Sequence, residues 1–186
     1  MDFVKISEEK LLAARTYMPL GKKMEFVSRV AAECLDRVSI RLKDGNRIEH
    51  TKEATDRKSR WLMGALAVYY LKTGIEPLAG TDYLMAQDDY DRWAGGHIFN
   101  QLERFKSSAK TRDRAFDLLW DYRDLEKRLN TEIYNLLQAM NDPIVKLGEK
   151  LAQAATPEAV QEAAKELTAL KEQFEALKEK AGESHD

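Results

Sequence analysis

The chain has one cysteine, Cys34, so no internal disulfide can staple it. Four prolines and nine glycines in 186 residues leave little room for low-complexity linker. The histidines are His50, His97 and His185, scattered and without an HExxH or Glu-x-x-His spacing; no CxxC occurs. The usual ligand sets of zinc and of helical di-iron sites are therefore missing. GxxxxGK[ST], GxGxxG and GxSxG are absent too, which removes phosphate-cradling loops and the nucleophile elbow. Neither a cofactor nor a metal is expected, and the protein is expected not to be an enzyme. The longest strongly apolar run is eleven residues, short of the ~18 that a membrane span needs, so no membrane segment is expected. MDFVKISEEK lacks the basic-then-apolar order of a signal peptide, and a cytoplasmic location is expected.

What is present is mostly helix-forming. The eleven-residue run is Trp61 to Leu71, WLMGALAVYYL. A helix apolar on every side belongs inside a fold. Thr55 is a plausible cap, Gly74 and Pro77 a stop, so residues 56–73 read as a buried central helix. Gly64 and Ala67 give it a thin side where another helix can approach.

Around it, amphipathic segments follow in order. Ser7 caps a first helix that Pro19 ends. Phe26, Val27, Val30, Cys34, Leu35 and Val38 form one stripe over a helix of residues 20–38, and Cys34 reads as a buried small hydrophobe within it. Val38, Ile40 and Leu42 alternate before Asp44-Gly45, which allows at most one small β-hairpin near residues 38–50, or equally a mobile loop carrying Arg41, Lys43, Arg47 and Lys52. Thr81 caps a helix of residues 82–93, Gly95-Gly96 stops it, and a further helix carries Ile98, Phe99, Leu102 and Phe105. Thr111 caps the longest helix, 112–140, and Asp142-Pro143 marks the next start. After Thr156-Pro157, residues Val160, Ala163, Leu167, Leu170, Phe174, Leu177 and Ala181 step by three and four, a heptad seam. Such a seam needs a partner: the 112–140 helix as an antiparallel hairpin, or a second copy in a homodimer. The expected fold is all-α, a helical bundle around a buried central helix, extended by a long antiparallel helical hairpin. The expected division is a core domain, 1–110, and a hairpin, 111–186.

Net charge is −2, unevenly spread: residues 1–74 carry +5 and residues 75–186 carry −7. A polarised surface orients partners. The acidic candidates are Asp88, Asp89 and Asp91, and the row Asp113, Asp117, Asp121 and Asp124 at steps of four, four and three. Lys110, Arg114 and Lys127 or Arg128 stand at helical spacing to offset Asp113, Asp117 and Asp124, but Asp121 has no cation three or four residues away. A row of carboxylates imitates a row of phosphates and attracts a basic nucleic-acid channel. Asp88, Asp89, Asp91, Asp117 and Asp121 are the expected partner-binding residues. The competing reading of each is a solvated helix face, with Asp88 and Asp89 paired to Arg92. The opposite candidate is basic: Arg41, Lys43 and Arg47 in the 39–54 segment, then Arg57, Lys58 and Arg60 beside Trp61, a combination that suits nucleic acid.

Three runs, RTYMPLGKKMEFV, DRKSRWLMGALAVYYLK and DDYDRWAGGHIFNQLERFK, resemble small helical proteins of bacterial prophages and mobile elements. The resemblance covers residues 11–140 and assigns no residue a role. It implies a protein that acts by binding a host or viral protein, as anti-CRISPR inhibitors of Cas nucleases and tail or capsid assembly factors do. The expected function is thus non-enzymatic inhibition of a host CRISPR-type nuclease by occupying its basic nucleic-acid surface. The alternatives are a phage assembly protein oligomerising through the heptad helix, and a DNA-binding protein using the 41–60 region.

Overall fold

The computed structural model describes residues 3–35, 38–41, 47–153 and 156–183. The described chain is all-α apart from one hairpin. Its elements are α1 (Glu8–Leu12), α2 (Leu20–Leu35), β1 (Val38–Arg41), β2 (Arg47–His50), α3 (Lys52–Gly64), a π-helical segment (Ala65–Tyr70), α4 (Gln87–Gly95), α5 (Ile98–Phe105), α6 (Arg112–Gln153) and α7 (Pro157–Glu183). The hairpin falls where the alternation placed it: β1 and β2 are antiparallel, with Val38 opposite His50 and Arg41 opposite Arg47. Lys43 lies outside the described residues, as do the side chains of Arg41 and Arg47.

The chain divides into two units, Met1–Met24 with Asp56–Arg128, and Glu25–Thr55 with Leu129–Asp186. This replaces the expected division after residue 110. α6 is one continuous helix that contributes to both units, so a single cut before it cannot separate them.

In the first unit, the uncharged run is the core. Every residue from Trp61 to Leu71 is buried except Val68, which is half-buried. Leu11, Met18, Trp93, Leu102, Leu118 and Leu125 are buried in the same unit. Burying each such side chain contributes about 1.5–3 kcal/mol. The helix bounds differ from those expected. Thr51, not Thr55, is the cap of α3, its hydroxyl accepting the Ala54 N–H at 3.0 Å. From Ala65 the turn widens, and the Leu71 N–H donates to the Leu66 carbonyl at 3.0 Å, five residues back. The helix ends before Gly74: Lys72 takes φ 48°, and the Thr73 N–H and hydroxyl both donate to the Ala67 carbonyl, at 2.9 and 3.0 Å.

Gly64 does provide a thin side, but the neighbour there is not a helix. A Cβ on Gly64 would stand 1.6 Å from the Tyr83 carbonyl oxygen. The non-helical 82–86 stretch fills the notch, and Arg60 Nε holds it by donating to the Met85 carbonyl at 2.8 Å. Helix α4 therefore starts at Gln87 rather than Asp82. The N-terminal segment is pinned by one side chain: Gln101 accepts from the Ile6 N–H at 2.8 Å and donates to the Val4 and Gly96 carbonyls at 2.9 and 2.6 Å.

In the second unit, Phe26, Val27, Val30, Cys34 and Leu35 of α2 are buried, as their stripe requires, and the Cys34 thiol, in no disulfide, donates to the Ala54 carbonyl at 3.8 Å. The expected break at Asp142-Pro143 does not occur; α6 runs through Pro143 to Gln153. An interior proline costs about 3 kcal/mol. Met140, Ile144 and Leu147 continue the buried stripe across it, and that burial offsets the missing hydrogen bond. The heptad seam finds its partner within the chain. Phe174 and Leu170 of α7 pack in one apolar cluster with Met140, Ile144, Leu136 and Leu137 of α6 and with Leu35. Ile144 meets Phe174 while Lys150 Nζ pairs with Glu166 at 2.6 Å, so α6 and α7 run antiparallel.

Candidate functional site

The acidic row of α6 resolves into residues with different fates. Asp113 and Asp117 face solvent; Asp121 does not, being 6% exposed. Steps of four and three from Asp117 carry the row around the helix and into the core of the first unit. There Asp121 Oδ1 receives Lys23 Nζ at 2.5 Å, and Oδ2 receives the Met18 N–H at 2.8 Å and the Tyr70 hydroxyl at 2.7 Å. Lys23 also donates to Asp124 Oδ2 at 2.8 Å, and Asp124 in turn receives Arg128 Nε at 2.9 Å. The cation that Asp121 lacks along its own helix comes from α2, and Asp121 is corrected from a partner-binding residue to a buried structural anchor.

The electrostatics of this cluster are those of a closed network. Burial lowers the Lys23 pKa, but the hydrogen bonds and charges of Asp121 and Asp124 outweigh it, and the net shift is upward. Burial first, then the hydrogen bond to Asp121, pushes the Tyr70 phenol well above its usual range. Arg128 and then Lys23 hold the Asp124 carboxyl below the ordinary carboxylate value.

The other cations of the sequence pattern are spent differently from the helical spacing. Lys110 pairs with Glu8 at 2.7 Å instead of Asp113, and Arg114 donates to the Ala14 carbonyl at 2.9 Å instead of pairing with Asp117. Asp113 and Asp117 form no ion pair among the described residues. Asp88 and Asp91 of α4 are exposed; Asp89 is half-buried and paired with Arg92, and Gln87 donates to Asp91 at 3.0 Å. His97 sits in a left-handed turn before α5, φ 50°. Among the described residues, no group of three or more metal-ligating side chains is assembled.

Of the basic candidate, the residues with described side chains are Arg57, Lys58 and Arg60, beside Trp61. Trp61 is 1% exposed, so its ring has no face for a base to stack on. Arg60 is engaged with the Met85 carbonyl, and Arg57 and Lys58 are half-buried. No helix among the described residues is long and apolar enough to cross a membrane.

The most prominent exposed feature was not singled out from the sequence. Phe116 and Trp120 of α6 are 53% and 70% exposed and stack at 6.3 Å between ring centroids, 16° from parallel. A signal existed. The buried stripe of α6 includes Leu118, Tyr122 and Leu125, and residues 116 and 120 fall on the opposite side of the helical wheel. On that outer face, Asp113 and Asp117 form one edge. Arg112 and Arg123 form the other, but both are occupied: Arg112 Nε with the Lys106 carbonyl at 3.4 Å, Arg123 with Glu103 at 2.7 Å.

Compared with known proteins, the chain matches no family model, no curated protein and no solved structure.

Proposed function

We propose that this protein acts by binding another protein, without catalysis, through the outer face of the first half of α6. The observation that carries the reading is the exposed Phe116–Trp120 stack. Exposed tryptophan is uncommon on a surface with no partner and is enriched among the residues that dominate binding energy. Asp113 and Asp117 stand beside the stack without cations of their own. A basic surface with arginines answers both features, since a guanidinium stacks on indole while it pairs with a carboxylate. The resemblance of the three sequence runs to prophage and mobile-element proteins narrows that partner to the basic nucleic-acid channel of a host RNA-guided nuclease. Asp88 and Asp91 add to the negative surface of the same unit.

The test adds the purified full chain to RNA-guided nuclease complexes and reads target-DNA binding. The full chain is expected to block it. Trp120→Ala and Asp117→Lys should each raise the concentration required at least tenfold, and Asp117→Lys should flatten the salt dependence. DNA binding left intact by the full chain, or blocked equally by both variants, overturns the reading. The assembly-protein alternative would use the heptad seam, of which Leu170 and Phe174 pack against α6 of the same chain while Val160 stays exposed.

A further inference from the structure

An open cleft of about 480 Å³ lies in the first unit, formed by α3, α4, α5 and α6. Its volume is within the range of small-ligand sites. Leu62 and Met63 line its apolar wall. Phe99 and Tyr122 supply an aromatic corner, their ring centroids 5.3 Å apart and their planes tilted by 46°. The charged groups at the cleft are Glu103, Arg123 and Glu126, and Ser59, Tyr90 and Asn100 add uncharged polar ones.

These three charges are not equivalent. Glu103 accepts from Lys106 and Arg123, each at 2.7 Å, and Lys106 foremost holds its carboxyl below the usual value. Glu103 and Arg123 therefore neutralise each other within the fold. Glu126 is half-buried and has no hydrogen-bond or ion-pair partner among the described residues. Its charge reaches the ring beside it: burial, then Glu126, pushes the Tyr122 phenol upward. A partly desolvated carboxylate without a cation, set beside aromatic faces and an apolar wall, is an unfilled half of an interaction.

We propose that this cleft binds a small organic cation, an alkylammonium or alkylguanidinium whose head sits at Glu126 and whose stem lies against Phe99 and Leu62. The carboxylate selects the charge, the aromatic corner favours a cation over an anion, and the apolar wall selects a carbon chain over a bare metal ion. The inference stands apart from the protein-docking reading, because neither Phe116 nor Trp120 lines the cleft.

The experiment titrates the full chain with n-butylammonium and n-butylguanidinium and follows backbone amide shifts by NMR, with n-butanol as the neutral control. Saturable shifts at Leu62, Phe99 and Glu126 are expected with both cations, and none with butanol over the same range. Glu126→Gln keeps the shape and should weaken binding at least tenfold. Phe99→Leu keeps apolar volume, removes the ring and should weaken it about threefold. Glu149→Gln removes an exposed carboxylate elsewhere on α6 and should change nothing. The proposal is overturned if butanol binds as well as the cations, if Glu149→Gln weakens binding as much as Glu126→Gln, or if no cation saturates by about 10 mM.

Discussion

Tyr70 donates its hydroxyl to Asp121 Oδ2 at 2.7 Å, joining the end of the uncharged core segment to the first quarter of the longest helix across 51 residues of sequence. The same carboxylate takes Lys23 on its other oxygen, so one side chain ties the π-helical segment, α2 and α6 together. Removing one member of such a buried set strands the others.

Asp121→Ala leaves Lys23 with Asp124 alone and leaves the Met18 N–H and the Tyr70 hydroxyl without their acceptor. A loss of about 3–5 kcal/mol is expected in urea unfolding. A loss under about 1 kcal/mol would show that the network contributes little. Asp117→Ala, on the exposed part of the row, should stay within about 0.5 kcal/mol of the parent.

Stability should fall at both ends of the pH scale, for reasons of opposite sign. The Asp124 carboxyl is held below its ordinary 3.8, so its contribution is present above that value and is lost as pH drops through the folded one. Lys23 is raised above 10.5 and Tyr70 above 10.0, so their contributions are complete below those values and fade as pH climbs past them. Thermal unfolding from pH 2 to 12 reads both limbs. Tyr70→Phe should flatten the alkaline limb and leave the acid limb alone; an unchanged alkaline limb contradicts the assignment.

Gly64 is required by contact. In Gly64→Ala the new methyl meets backbone at Tyr83, not a mobile side chain, and about 3 kcal/mol or more of stability should be lost. Gly74→Ala, with nothing within 4 Å of its Cβ, is the matched control and should be close to neutral. Equal effects of the two would mean that the Tyr83 segment does not sit against α3.

Lys72 occupies the left-handed region that an L side chain enters at a cost. Lys72→Gly should raise stability by about 0.5–1 kcal/mol in chemical denaturation, despite adding flexibility to the unfolded chain. A decrease would show that the lysine stem contributes packing that outweighs its backbone strain.

Phe174→Ala should cost about 3–5 kcal/mol, because the ring is part of the cluster with Met140 and Ile144. Val160, half-exposed on the same heptad, should tolerate alanine with little effect. Sedimentation of the parent chain adds a second reading: an internally satisfied seam predicts no dimer, whereas a dimer abolished by Phe174→Ala would return the seam to self-association.

Several features were readable from local pattern alone. The helical class, the buried Trp61–Leu71 run, the Cys34 stripe, the 38–50 hairpin and the α7 heptad all follow from periodicity and burial of apolar surface, which act over a few residues. What escaped were effects of neighbours distant in sequence. Pro143 remains helical because Ile144 and Leu147 are buried. Helix α4 starts late because the preceding residues fill the notch at Gly64. Lys110 and Arg114 ignore the aspartates on their own helix for Glu8 and the Ala14 carbonyl. The acidic row of α6 lost Asp121 for the same reason, and the Phe116–Trp120 stack emerged only once the buried side of α6 was known.

By itself, the amino-acid sequence determined which segments are helical and which face of each is apolar, because those depend on spacing along one chain. Only the tertiary structure decided which charges are buried, which are answered and which are left over. Lys23 and Asp121 are 98 residues apart, and no local rule pairs them. Glu126 and Trp120 are left over for the complementary reason: among the described residues, folding brings no cation to the Glu126 carboxylate and leaves the Trp120 ring 70% exposed.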